Sequence, residues 1–303
     1  MIKKVFELSQ QAADLSAHDG QLDVRFHDAG RGLVTVPCED LGFLVVDNPG
    51  VNYSHHALCE LLSNGAAVVL CGRNHLPAGL LLPLSNHTEV TARLREQISV
   101  RAPLRKRLWQ QLVIAKIRAQ AMNLTSTEAA GHLRALARKV RSGDPKNVEA
   151  QAAKAYWRAW RPASASEFRR DPDAGEPLNA MLNYGYAVLR AAVARALVSS
   201  GLNPALGIHH ANRSNAFCLA DDLMEPLRPL VDSRVLRLHE KGERELSPPV
   251  KRELLSVLSE TVAMDGTTGP LMVSLERFVA SLVRCIRGEE RRLAIPSAVP
   301  SGK

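Results

Sequence analysis

Two textures of apolar and polar positions follow one another along the chain. From residue 22 to 84, short β-favourable runs are separated by Gly, Pro, Asn and Asp. Leu22–Phe26 alternates, and Gly32–Val36, Phe43–Val46, Ala66–Cys71 and Gly79–Leu84 predict further strands, with one helix over His55–Ser63 between them. After Pro83 the period changes, and apolar residues recur three and four apart, as on a buried helix face. This spacing predicts helices over His87–Val100, Pro103–Met122, Ser126–Arg141, Lys146–Trp160, Glu176–Ser200, Leu219–Val231, Pro249–Ala263 and Ser274–Arg287. Thr125-Ser126-Thr127-Glu128 and Asp144-Pro145 supply candidate N-caps, and Gly143 and Gly201 stand at expected helix stops. Residues 294–303, AIPSAVPSGK, read as a disordered tail. The expected fold is α+β and multidomain: a small β-rich domain over 1–84, joined near residues 84–88 to a larger all-α domain over 85–293.

Composition narrows the class. The 303 residues are 46% hydrophobic and 23% charged, a globular balance. Apolar stretches such as GAAVVLC fall far short of a membrane span, and the first residues show no secretory signal. Five scattered cysteines without a CxxC pair support neither a zinc ribbon nor a disulfide framework, so a cytoplasmic protein is expected. The formal charge is +8, but it is not spread evenly: residues 1–85 carry −4, residues 86–161 carry +11 and residues 162–303 carry +1. In the middle segment Arg93, Arg95, Arg101, Arg105, Lys106, Arg107, Lys116 and Arg118 are accompanied by one acid, Glu96. Arg134, Arg138, Lys139 and Arg141 follow on the next predicted helix. Solvated helix faces normally interleave both signs, so this one-sided run points to phosphate. Aromatics at 4% weigh against base stacking, leaving backbone binding as the expectation.

Three places in the helical part concentrate metal-ligand types. Glu149 lies early in the predicted helix Lys146–Trp160, within DPKNVEAQAAKAYWRAW, His209-His210 sits in a loop, and Asp222 and Glu225 stand three apart, on one face of a continuous helix. Acid and imidazole donors suit Mg²⁺ or Mn²⁺. Each has a plain reading too: Glu149 and the acidic pair are also what helix starts carry to complement the dipole. No Walker loop, GxGxxG or GxSxG elbow is present.

The run GLNPALGIHHANRSNAFCLADDLMEPLRPLVD (201–232) resembles the signature region of the CRISPR-associated spacer integrase, the DNA endonuclease of the adaptation module. Glu149 with AxxAxxYW after it resembles the first motif of that family, and PLNAMLNYGYAVL (177–189) its Asn/Tyr-rich helix. GRNHLPAGLLLPLSNH (72–87) and the IHH form of the His motif resemble the type II branch.

The resemblance implies that Glu149, His210 and Glu225 bind one divalent metal, Mg²⁺ or Mn²⁺, and carry catalysis, with Asp222 also facing the site. It implies dimerisation through the N-terminal domain and a catalytic helical domain. It further implies a homodimer that joins the small second CRISPR-associated adaptation protein in a heterohexamer on double-stranded DNA. Other type II CRISPR proteins are further candidate partners. Arg93, Arg101, Arg105, Lys106, Arg107, Arg134, Arg138 and Lys139 are the expected DNA contacts. The implied reaction is attack by the 3′-hydroxyl of a captured foreign fragment on a phosphodiester at the repeat edge, as part of antiviral defence. Two rivals use the same residues differently: a stand-alone metal-dependent nuclease, and a DNA-binding scaffold in which Glu149, His210 and Glu225 are structural.

Overall fold

The computed structural model describes residues 3–28, 30–84, 87–160 and 168–299. The N-terminal part contains β1 (Lys4–Leu8), β2 (Ala13–His18), β3 (Gln21–Phe26), β4 (Leu33–Pro37), β5 (Leu41–Val46), β6 (Asn52–Tyr53), α1 (His55–Ser63), β7 (Ala67–Cys71) and β8 (Pro77–Leu81). One sheet has the order β1-β5-β7-β8, parallel except for β8. The other has the order β4-β3-β2-β6. β1 and β2 precede every predicted strand. Asp19 and Gly20, both at positive φ, turn β2 into β3, the geometry a tight two-residue hairpin needs.

β5 shows how the two parts join. It is buried at every position. Its pleat sends Leu44 and Val46 into a core with Leu15, Leu22, Val24 and Leu61. Phe43 and Val45 face the opposite way, into the core of the helical part. A strand covered on both faces reads as an unbroken apolar run, as this one does. Polar ties cross the same junction: the Arg195 Nε donates to the Gly65 carbonyl at 2.8 Å, and Lys251 pairs with Asp47 at 2.5 Å, fully buried.

The helical part contains α2 (Val90–Ile98), α3 (Ala102–Met122), α4 (Thr127–Lys139), α5 (Val148–Trp160), α6 (Pro177–Ser199), α7 (Cys218–Met224), α8 (Arg228–Glu240), α9 (Pro248–Leu255) and α10 (Leu271–Arg287). α6 is apolar nearly all round and is the central helix of this part. Gly185 on α6 lets α8 approach, since a Cβ there would stand 2.4 Å from Val231 Cγ1.

Three expectations are corrected. The predicted helix Leu219–Val231 is instead α7, a 3-10 turn over Glu225–Leu227, and α8. Pro226 and Pro229 lack the amide hydrogens that a continuous helix would use. The predicted helix Pro249–Ala263 stops at Leu255, and the β-branched Thr261-Val262 opens β9 (Thr261–Met264), which turns through Asp265-Gly266 into β10 (Thr267–Pro270). The tail expected to be disordered from 294 starts ordered: Ala294 is buried, its amide donates to Ser281 Oγ at 3.0 Å, and β11 (Ser297–Ala298) pairs with β9. The helical part therefore carries a three-stranded sheet of its own. Residues 85–86 of the expected joint and 300–303 of the tail lie outside the described residues. Among the described residues no helix is long and apolar enough to cross a membrane.

Candidate functional site

Three elements of the helical part meet at one buried ammonium. α5 is opened by Asp144, whose carboxylate accepts from the amides of Val148 and Glu149 at 2.9 Å each. That cap fixes Glu149 in the first turn. Lys116 lies on the inner face of α3, in register with Leu112, Val113 and Gln120. Its ammonium contacts the Glu149 Oε1 and stands 2.5 Å from the Glu225 Oε2, in the 3-10 turn after α7. The other Glu225 oxygen accepts from the Arg228 Nε at 2.8 Å. Burial alone would raise the Glu225 pKa, but Arg228 and Lys116 overcome it and hold the carboxyl down at about 2. Burial lowers the Lys116 pKa, and Glu225 and Glu149 more than reverse this, so it ends above its ordinary value.

Behind Glu225, the Arg228 guanidinium lies 4.6 Å from the centre of the Tyr186 ring. The Tyr186 hydroxyl donates to Asp232, and the Tyr156 hydroxyl donates to the other Asp232 oxygen at 2.8 Å. Arg170 approaches the same Tyr186 ring, held by Asn179 at 2.9 Å and Asn183 at 2.7 Å. The Asn and Tyr residues of α6 thus orient two guanidiniums beside the carboxylates. Burial pushes the Asp232 carboxyl up to about 6, against the two tyrosine hydrogen bonds.

The His loop is held by one carboxylate. Asp222 on α7 is fully buried. Its Oδ2 accepts from the amides of Ile208 at 2.6 Å and His209 at 2.9 Å. Its Oδ1 accepts from the His210 amide at 3.2 Å and from the His210 Nδ1 at 2.7 Å. Gly207 permits this wrap, because a Cβ there would lie 2.2 Å from the His210 carbonyl oxygen and 3.0 Å from the Asp222 Oδ2. The imidazole of His209 stacks on Trp109 at 4.1 Å and 3°, while that of His210 meets Trp109 edge-on at 5.7 Å. The hydrogen bond to Asp222 raises the His210 pKa, against burial, and the Glu225 charge adds to the rise.

Of the expected metal set, the structure brings Glu149 and Glu225 onto one cation, and the charge of Glu225 reaches His210. Asp222, expected also to face the site, engages the His loop with both oxygens. Among the described residues no three His, Cys, Asp or Glu side chains are gathered closely enough to hold a metal ion. By donor type, two carboxylates and an imidazole suit a hard divalent ion. Two carboxylates already share a cation, and Asp222 engages the His210 Nδ1, leaving the Nε2 lone pair as the imidazole's donor. Lys116 is the residue that sequence reasoning placed wrongly, among the basic run. Its signal was its register: a lysine on the apolar stripe of α3 needs buried partners.

The basic segment is largely as exposed as expected. Arg101, Arg105, Lys106, Arg107, Arg134, Arg138 and Lys139 are exposed. None has an ion-pair partner among the described residues, so each is available to phosphate. Lys106 folds over the turn at Gly143, whose amide donates to the Lys106 carbonyl at 2.9 Å, just ahead of α5 and Glu149. Arg93 differs from these residues. It pairs with Glu89 at 3.1 Å and Glu96 at 3.8 Å and is mostly covered, so its charge is already spent within the fold.

Comparison with known proteins follows this geometry. A family model described as "CRISPR associated protein Cas1" matches residues 7–260. The CRISPR-associated endonuclease Cas1 of Neisseria meningitidis is 37% identical over 272 residues, covering 88% of each chain. Among solved structures, a casposase bound to its integration product superposes with a TM-score of 0.80 at 20% identity, over 96% of this chain and 93% of that one. A Cas6-RT-Cas1–Cas2 complex superposes with a TM-score of 0.76 at 18% identity, over 99% of this chain and 36% of that one.

Proposed function

This chain belongs to the Cas1 family of CRISPR-associated proteins, and from that footing we propose how its residues carry out the family's chemistry. It is an endonuclease and integrase of CRISPR adaptation, which inserts captured DNA fragments into the CRISPR array. The observation that carries the assignment of residues is the convergence of Glu149 and Glu225 on one buried cation, with the Glu225 charge acting on an imidazole anchored by Asp222.

In this reading Glu149, Glu225 and the Nε2 of His210 hold one divalent ion, Mg²⁺ or Mn²⁺. Bound there, such an ion polarises phosphate oxygens and stabilises the charge that develops on them. The residues of the chain supply the rest. Asp222 fixes the tautomer and aim of His210, and Trp109 backs the loop through His209. Arg228 holds Glu225 ionised. Arg101, Arg105, Lys106, Arg107, Arg134, Arg138 and Lys139 hold the DNA by its backbone. The 3′-hydroxyl of the fragment attacks a phosphodiester at the repeat edge. One P–O bond forms as another breaks, so no nucleotide hydrolysis is needed, in keeping with the missing Walker loop.

The finer assembly is part of the same proposal. A small Cas2 partner is supported by the Cas1–Cas2 complex with the same fold, and double-stranded DNA by the casposase bound to its integration product and by a TtCas1–DNA complex of the same fold. A homodimer joined through the β-rich parts, a heterohexamer with Cas2, the type II branch, with further type II proteins as partners, and a cytoplasmic location complete the reading. The Neisseria relative favours that branch.

The test is a joining assay. The protein, with and without Cas2, is incubated with a 3′-OH duplex and a supercoiled repeat-bearing plasmid in Mn²⁺ or Mg²⁺. Joining should vanish in Glu149→Ala, His210→Ala and Glu225→Ala. Joining that survives these substitutions sinks the assigned site and favours a structural role for the three residues.

A further inference from the structure

Lys116 is a second cation claimant on the proposed metal carboxylates. It sits on the inner face of α3, where an unpaired ammonium would be costly. Its partners are Glu149 and Glu225, contributed by two separate segments. A divalent ion and an ammonium cannot occupy the same gap between two carboxylates, because like charges that close in a half-dry site repel strongly. One must leave for the other to enter.

The surroundings limit where the ammonium can go. The Glu225 Oε1 is engaged by Arg228. Both oxygens of Asp222 are filled by the His loop. Both oxygens of Asp232 are held by Tyr156 and Tyr186. Asp144 is committed to the amides of α5. Among the described residues these neighbouring carboxylates are all engaged, so a displaced ammonium would turn to an anion from outside the chain. The exposed basic residues Arg105, Lys106 and Arg107 lie on the same helix, at the end that would meet DNA phosphates.

We propose that Lys116 is a built-in stand-in for the metal: it holds Glu149 and Glu225 together in the DNA-free protein, and the arriving DNA phosphate takes its ammonium as the metal enters. Metal and DNA then bind cooperatively, and the DNA-free enzyme takes up metal poorly. The proposal rests on the metal-site reading above. It adds a positioning residue, and a brake on metal loading away from DNA.

The test reads metal occupancy rather than turnover. Free Mn²⁺ is followed by electron paramagnetic resonance during titration of the full-length protein, with and without a 3′-OH duplex. In the wild type the duplex should tighten Mn²⁺ binding by about 5–150-fold, the usual span of a coupling between two sites. Lys116→Met should bind Mn²⁺ more tightly than the wild type without DNA, and should lose most of the DNA dependence. Lys116→Gln keeps a donor to the carboxylates without the charge and should behave the same way. If Lys116→Met is poorly folded on its own, its melting temperature should rise more with Mn²⁺ than that of the wild type. DNA-free Mn²⁺ affinity at or below wild type in both variants overturns the proposal. The control is Glu149→Gln. Mn²⁺ binding that survives it overturns the metal reading and this proposal together, whereas binding that needs Glu149 but ignores Lys116 overturns this proposal alone.

Discussion

Replacing Asp222 by Asn tests whether this residue acts through His210. The buried carboxylate accepts four N–H donors, three from the backbone of Ile208, His209 and His210 and one from the His210 ring, at 2.6–3.2 Å. Asn keeps the shape but offers one oxygen and one amide group that itself donates. Two of the four donors would then face another donor in a buried place. Hydrogen bonds to a charged acceptor contribute about 1.5–3 kcal/mol each, so two lost bonds cost about 3–6 kcal/mol in a rigid site. The loop is exposed at His209 and His210 and can relax, which brings the net cost towards about 2–3 kcal/mol. At about 2–4 °C per kcal/mol, melting should fall by roughly 4–12 °C. The imidazole, no longer held through Nδ1, should lose aim as well. Partners of metal-bound histidines typically contribute about 10–100-fold in affinity or activity. The assay pairs plasmid joining at saturating Mn²⁺ with a thermal melt. Asp222→Asn should join at least about tenfold more slowly at a temperature where it stays folded. Wild-type joining together with a wild-type melt would refute the role given to Asp222.

Three further outcomes are expected. Gly207→Ala puts a Cβ against the His210 carbonyl and should displace the loop, lowering joining by about 100-fold with circular dichroism unchanged, since a shift of about 1 Å at a reacting centre can cost that much; full activity would show that the loop yields freely. Asp232 has a folded pKa of about 6 against an ordinary 3.8, so its contribution to stability is complete below about pH 4 and is lost as pH rises through 6. The wild type should therefore lose up to about 3 kcal/mol relative to Asp232→Asn across that window, and a melting-temperature difference that stays flat from pH 4 to 7 would contradict the burial argument. Replacing Arg134, Arg138 and Lys139 together by Ala should weaken duplex binding for any sequence and reduce the slope of log K against log salt by about 2–3, measured by fluorescence anisotropy; an unchanged slope would remove these residues from the DNA track.

Much of the architecture was legible in local sequence because it depends on local periods. Strand alternation, the helical period after Pro83 and the caps at Ser126 and Asp144 act within a few residues, and all appear in the structure. Where two local preferences competed, the reading failed. The apolar spacing of 219–231 suits a helix, but Pro226 and Pro229 break it, and Thr261-Val262 with Asp265-Gly266 turns an expected helix into a hairpin. The tail looked disordered by composition, but Ser281 and β9 hold its first residues in place.

For the site, the sequence by itself determined the inventory: Glu149, His210, Asp222 and Glu225 as donors, and a one-sided basic run ahead of them. Only the tertiary structure decided what each donor does. Asp222 and Glu225 stand three apart, yet one carboxylate is taken up by the His loop and the other by Lys116 and Arg228. Arg93 and Lys116 look like neighbours in one basic track, yet one is ion-paired with Glu89 and Glu96 and the other lies inside the site. Charge along a chain sums without regard to partners, whereas the energy of a charge is set by what lies within a few ångströms of it, and that distance exists only once the helices have packed.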